Sequence, residues 1–285
     1  MVDARRTLDL HAQRWNLVSM ASAKSSQIAM RGPVRAPSTP ITEEELRLRR
    51  DLAACYRLVA LHGWDDLLAT HISARVPGEE SAFLINPIGL MFDEMTASRL
   101  VKVSLSGEVL QDTSDAVNRA GFVIHSAVHE ARPDAHCVMH LHTRDGVAVS
   151  ALEEGLLPLN QTAMTVAPHL AHHEYEGVAF HEAERPRLAA DLGGKKLMLL
   201  RNHGTLSVGA SVPEAFVLMY MLEWACTVQV RTLGMGRPLH AAREAVRVET
   251  GTLLDNQENV SRFSEGLVWP ALLRKLNRVN PGYAE

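Results

Sequence analysis

Between residues 42 and 63 apolar positions recur at helical spacing. Leu46, Leu52, Cys55 and Val59 share a face, Thr42-Glu43-Glu44-Glu45 supplies a capping box ahead of them, and Gly63 closes the run. The period then changes to two. His71-Ile72-Ser73-Ala74-Arg75-Val76 alternates like a half-buried strand, Ala82 to Asn86 continues a sheet, and Leu100 to Leu105 adds a strand with a turn at Ser106-Gly107. Asn118 is placed to cap a helix through Phe122, Ile124, Val128 and Ala131, which Arg132-Pro133 interrupts. The short apolar runs Cys137 to His142 and Leu197 to Asn202 predict buried strands. Helices are predicted over Val147 to Leu152, over Ala183 to Leu192 before Gly193-Gly194, and from the capping box at Ser211-Val212-Pro213-Glu214 to about Leu233. Strands cluster and only sometimes alternate with helices. The expected fold is therefore α/β: one domain over residues 41–285, with a mixed, largely antiparallel sheet covered by helices on both faces. Residues 1–40 mix Ser, Ala, Arg and Pro without a sustained period and are expected to form a flexible N-terminal arm.

Composition narrows the function classes. The chain has 285 residues, 46% of them hydrophobic, enough for a substantial core. A formal charge of −4 and the absence of a Lys/Arg stripe argue against nucleic acid as a partner. No window approaches 18 uninterrupted apolar residues and the first residues lack the apolar stretch of a secretory signal, so no membrane span is expected and the cytoplasm is the expected compartment. Cys55, Cys137 and Cys226 are widely spaced in apolar surroundings, which suits small core residues rather than a disulfide framework.

The chemistry is signalled by His140-Leu141-His142, with Asn202-His203-Gly204 following 61 residues after His142. Alternate residues of a strand point the same way, so His140 and His142 can aim two imidazoles at one ion, and His203 at the end of a second strand would complete a triad. Three neutral imidazoles leave a coordination position open for a substrate, the arrangement of a catalytic site. The competing possibility is that these rings only make hydrogen bonds inside the core, and each would then need a buried partner. His125 and His129 lie four apart and share a helix face, but no HExxH glutamate accompanies them.

Six segments carry a resemblance: His71-Ile72-Ser73-Ala74-Arg75, Leu84-Ile85-Asn86-Pro87-Ile88-Gly89, Asn118-Arg119-Ala120-Gly121-Phe122-Val123-Ile124-His125, Arg132-Pro133-Asp134, His140-Leu141-His142 and Leu200-Arg201-Asn202-His203-Gly204. In combination they resemble the class II aldolase/adducin superfamily over about 240 residues, from Thr42 nearly to the C-terminus. The resemblance implies a single three-layer α/β/α domain, a cyclic homotetramer with active sites at subunit borders, and one divalent metal per subunit held by His140, His142 and His203. Zinc is the expected ion, with manganese, iron and cobalt as alternatives.

The chain also departs from that pattern. The sugar-phosphate aldolases of the superfamily carry Ser-Ser-Glu, whose glutamate is the acid/base, where this sequence reads Arg119-Ala120-Gly121. Another group must then move the proton, and His125, His173, Tyr175 or a metal-held water are the candidates. The phosphate-binding Gly-Asn and Thr-Gly pairs read Thr70-His71 and Ile88-Gly89, so most of a phosphate cradle is gone. The resemblance makes Asn86, Gly89, Arg119 and Gly121 substrate-binding positions, and the planar fork of Arg119 suits a carboxylate, although a helix-capping salt bridge would explain it equally well. His169, His172 and His173 are expected in a loop with Tyr175, a region that approaches a neighbouring subunit's site in family members.

The expected function is a metal-dependent carbon–carbon lyase, a decarboxylase or retro-aldolase, acting on a small non-phosphorylated oxo- or hydroxy-carboxylate. Two alternatives stay open: an iron-dependent oxygenase using the same triad, and a non-catalytic interaction module like the adducin head. The adducin likeness extends to His173-Glu174-Tyr175-Glu176-Gly177, Val230-Arg231-Thr232-Leu233 and the stretch Leu272 to Tyr283.

Overall fold

A computed structural model describes residues 29–30, 40–178 and 182–285. The arm expected over residues 1–40 falls almost wholly outside them; Ala29 and Met30 pair antiparallel with Val117 and Asn118. Thr42 caps helix α1 (Glu43–Leu61), its hydroxyl accepting from the Glu45 amide at 3.1 Å. The Glu45 carboxylate does not return to the cap. It lies buried between Arg49 and Lys102, tying the start of α1 to the edge of the sheet. Gly63 follows the helix at φ +67°, a left-handed turn that glycine adopts without strain.

Seven strands form the sheet: β1 (His71–Arg75), β2 (Ala82–Ile85), β3 (Val101–Ser104), β4 (Cys137–Leu141), β5 (Leu170–His173), β6 (Leu197–Leu200) and β7 (Gly204–Gly209). Their order is β3-β2-β1-β4-β7-β6-β5. Every neighbouring pair is antiparallel except β5 and β6, which run parallel. A parallel pair needs a crossover, and here it passes through α5 (Arg185–Leu192). The remaining helices are α2 (Arg119–Ala131), α3 (Arg144–Ser150), α4 (Gln161–Val166), α6 (Val212–Gly234), α7 (Glu244–Gly251), α8 (Gln257–Phe263) and α9 (Trp269–Val279).

Strand parity divides the core. Cys137, Met139 and Leu141 of β4 pack with Ile72, Ala74, Leu52, Phe216 and Met219 under α1 and α6. Val138, the next residue out of phase, packs with Ile124, Val128, Leu188, Leu192 and Met198 under α2 and α5. The architecture is thus a three-layer α/β/α domain around a mixed, largely antiparallel sheet.

Because both faces are covered, His71 to Ala74 are all buried, not half-exposed as the alternation suggested. The segment expected as a loop around His172 and His173 contains β5, an edge strand that no apolar run announces; Ala171 and His173 turn inward and His172 outward. The short helix after β4 begins at Arg144, earlier than Val147, because Thr143 caps it. All three cysteines are buried and unpaired.

Candidate metal centre

β4 ends at Leu141, and His140 and His142 leave it two residues apart on the α2 side. The turn between β6 and β7 brings up His203. Asn202 sits at φ +56°, a conformation asparagine tolerates, and a Cβ on Gly204 would lie 2.3 Å from the Leu141 carbonyl oxygen. Only glycine lets β7 close that tightly on the end of β4. His140 Nε2 then stands 3.0 Å from His142 Nε2 and 3.3 Å from His203 Nε2, and the ligand atoms of all three lie within 4.8 Å of one another.

The donor set fits a metal. Nitrogens about 2.0–2.1 Å from one tetrahedral ion sit roughly 3.3 Å apart, close to the two short separations here. Two of the three other ring nitrogens are occupied: His140 Nδ1 donates to the Thr205 carbonyl at 3.0 Å, and His142 Nδ1 meets Asp66 Oδ2 at 3.1 Å. These bonds hold each proton on Nδ1 and leave Nε2 bare. Burial pushes the His140 imidazole well below the ordinary histidine range, with His203, His142 and His71 adding to the effect. Burial, followed by the nearby His142, brings His203 down to about 4. Neutral rings are what a metal requires.

A cavity of about 490 Å³ opens over the triad, with Asp66, His71, Ile88, Asn118 and Ala120 also on its wall. Beneath it lies a brace. Glu223 of α6 is 2% exposed and accepts hydrogen bonds from the hydroxyls of Thr143, beside His142, and Thr205, whose carbonyl holds His140. Burial raises the Glu223 carboxyl to about 7 against the pull of those two hydroxyls. Gly146 makes room for this cluster: a Cβ there would sit 2.6 Å from Thr143 Oγ1 and 3.0 Å from Glu223 Oε1.

The sequence-predicted residues scatter around this centre. Gly121, in the first turn of α2, abuts His71; a Cβ at Gly121 would lie 2.5 Å from His71 Cδ2. Arg119 is partly exposed between the wall residues Asn118 and Ala120 and has no hydrogen bond or ion pair among the described residues. His125 is fully buried and reaches the cavity only through His71, its Nε2 lying 3.0 Å from His71 Nδ1. Asn86 is turned away, its Oδ1 accepting from the Tyr56 hydroxyl, and Gly89 occupies a turn at φ +103° next to Ile88. His173, at the end of β5, is held between Asp191 at 2.7 Å and Glu184 at 3.3 Å, away from the cavity wall. Tyr175 is 53% exposed with its ring 6.2 Å from that of His203. His169 bonds the Gly251 carbonyl.

Comparison with known proteins decides the family. A family model described as the Class II Aldolase and Adducin N-terminal domain matches residues 50–230. This chain belongs to that family. A Caulobacter vibrioides protein named for class 2 aldolase is 54% identical over 258 residues, covering 89% of this chain and 98% of its relative. Rat (Rattus norvegicus) alpha-adducin is 48% identical over 192 residues, 66% of this chain but 26% of the adducin. The crystal structure of an aldolase II superfamily protein from Pseudomonas syringae superposes with a TM-score of 0.80 at 44% identity, covering 86% of this chain and 98% of the other. Class II aldolases typically use a divalent metal, and His140, His142 and His203 form a group that could hold one.

Several contributing residues gave little warning. Asp66 lies in an aperiodic stretch and carries no signal of its own. Glu223 did leave one, as an acid in the apolar run Phe216 to Cys226, and so did His71 and Ser73, polar residues in phase on one face of an apolar strand.

Proposed function

We propose that this chain is a divalent-metal-dependent carbon–carbon lyase that decarboxylates or cleaves by retro-aldol reaction a small, non-phosphorylated oxo- or hydroxy-carboxylate. The observation that carries this reading is the convergence of three imidazole Nε2 atoms on an open cavity whose glutamate position is occupied by glycine and walled by His71. A metal held by His140, His142 and His203, zinc in the first instance with manganese, iron and cobalt as alternatives, would polarise a substrate oxygen and stabilise the negative charge left by bond cleavage.

The residues of the chain supply the rest. Arg119, unpaired among the described residues and next in sequence to the wall residues Asn118 and Ala120, anchors the carboxylate with its planar fork. Loss of carbon dioxide requires a charge sink and a later proton but no strong base to begin, so decarboxylation suits the Gly121 position better than retro-aldol cleavage. Tyr175, exposed beside His203, is the donor best placed to return that proton. His125 acts through His71, as a positioning residue. His173 is engaged by two carboxylates and takes part only if a neighbouring subunit rearranges that pair. Asn86 and Gly89 shape the wall behind Ile88. We further propose a homotetramer, with the Tyr175 segment near a neighbouring site, in the cytoplasm; no helix among the described residues is long and apolar enough to cross a membrane.

The test is elemental analysis of protein purified without added metal, followed by a screen of oxo- and hydroxy-carboxylates for carbon dioxide or aldehyde release in air and under nitrogen. Metal-dependent release in both atmospheres is expected. Release only in air would assign the triad to oxygenase chemistry. The identity with alpha-adducin favours a second reading, an interaction module, and this predicts no turnover of any acid with the metal fully loaded.

A further inference from the structure

A chain of buried polar groups runs inward from the cavity wall. His71 Nδ1 is 3.0 Å from His125 Nε2, His125 Nδ1 meets Ser73 Oγ, Ser73 Oγ is 2.7 Å from His129 Nε2, and His129 Nδ1 is 2.9 Å from the Ala135 carbonyl. The geometry follows from two periodicities. His71 and Ser73 are two apart on β1, His125 and His129 four apart on α2, and the two spacings are similar in length, so the residues interlock where helix meets sheet. All four side chains are buried, at most 1% exposed.

The directions of these bonds are determined from the inner end. A carbonyl only accepts, so His129 Nδ1 carries a proton. Burial brings His129 down to about 3 and His125 well below its ordinary value, and His71, equally buried, has a neutral ring and no carboxylate as its hydrogen-bond partner among the described residues, so all three rings are neutral. A neutral ring protonated on Nδ1 has a bare Nε2. Ser73 must therefore donate to His129 Nε2, His125 Nδ1 must donate to Ser73, and His71 Nδ1 must donate to His125 Nε2. No proton remains for the outer nitrogen of His71. That atom has no hydrogen-bond partner among the described residues, and its side of the ring faces Gly121, where the family's glutamate would begin. His71 also lines the cavity and stands opposite His140 in the β1–β4 ladder.

We infer that His71 Nε2 is a dedicated hydrogen-bond acceptor for a substrate hydroxyl, so that an acid placing a hydroxyl at this position binds in preference to one placing a ketone there, the carbonyl that takes up the charge on bond cleavage being another group of the substrate. This rests on the carboxylate reading above and narrows it. A ketone oxygen in the same place would oppose lone pair to lone pair and leave the nitrogen unpaired; a hydroxyl donates to it. A site built to pair one polar group discriminates strongly against an analogue that cannot pair.

Two measurements on the full chain test this. The first is the nitrogen spectrum of histidine-labelled protein at neutral pH, which reports the tautomer of each ring. A proton on His71 Nδ1 alone is expected, and a proton on Nε2 overturns the inference. The second is calorimetric binding of the lactate enantiomers and of pyruvate to zinc-loaded protein, with metal content measured for each variant. Zinc itself ranks the two acids, so the ratio of affinities is compared between variants. In His71→Phe the preference for lactate should fall about tenfold, while His71→Asn, whose amide oxygen accepts, should keep most of it. An unchanged ratio in a metal-replete His71→Phe protein overturns the acceptor role and leaves the carboxylate reading standing. Failure of the wild-type protein to bind either acid overturns both.

Discussion

His71 and His140 stand directly opposite one another in the β1–β4 ladder, with ring centroids 5.2 Å apart on the α2 face of the sheet. One ring belongs to the proposed metal-ligand triad and the other closes the outer end of the buried histidine chain. A single cross-strand pair thus joins the proposed reaction centre to the interior, and the consequences can be measured.

Replacing His140 with Ala should abolish bound metal and turnover together, because it removes the nitrogen that lies near both of the others. Asp66→Ala keeps all three ligands but frees the His142 ring, and metal affinity should fall about 10–100-fold. Chelator competition with elemental analysis measures both. Full metal occupancy in His140→Ala protein would contradict the assignment.

Gly121→Ala should destabilise the protein by about 1–3 kcal/mol, since its methyl group would meet the His71 ring. The cost should largely disappear in a His71→Ala background. Denaturant unfolding of the four proteins of this cycle gives the coupling directly. Equal costs in both backgrounds would mean that the two residues do not compete for space.

Glu223→Leu should weaken metal binding although Glu223 touches no ligand. It strips the acceptor from two buried hydroxyls, at about 1–3 kcal/mol each, and loosens the backbone at Thr143, next to His142, and at Thr205, whose carbonyl accepts from His140. Glu223→Gln preserves one strong acceptor and should lose less. Unaltered metal affinity in a folded Glu223→Leu protein would reduce the brace to a packing role.

Acidification should unfold the metal-free protein. His71 and His129 are brought to about 3 and His203 to about 4 by burial, with His125 and His140 shifted the same way. Unfolded histidine takes a proton near pH 6.5 and the folded rings do not, so their stability contribution is complete above 6.5 and is lost as pH falls toward the folded values. One unit below 6.5 the loss is about 1.4 kcal/mol per ring. Glu223, raised to about 7, opposes this, because it gains stability as pH drops from 7 toward its unfolded value. Five histidines outweigh one carboxyl, so the denaturant midpoint should fall between pH 7.5 and 5.5. A flat profile would show that the rings charge in place.

The helices around Thr42, Asn118 and Ser211 were legible because each begins with a side chain that caps its own amides, a local act. β4 was legible from its apolar run. β5 and β7 were not: β5 is an edge strand with two histidines, and β7 begins in Gly204, which local rules assign to a turn.

What the amino-acid order determined alone is the set of parts: two imidazoles in phase on one strand, a third beside a glycine, and a glycine at position 121, where the resemblance to the sugar-phosphate aldolases implies a glutamate. Only the folded chain decided how they combine. His203 joins the pair because Gly204 lets backbone meet backbone at Leu141, and His71 reaches Gly121 because β1 lies in one particular register against β4. Register and close approach arise between segments distant in sequence, set by the packing of whole faces, and no local period records them.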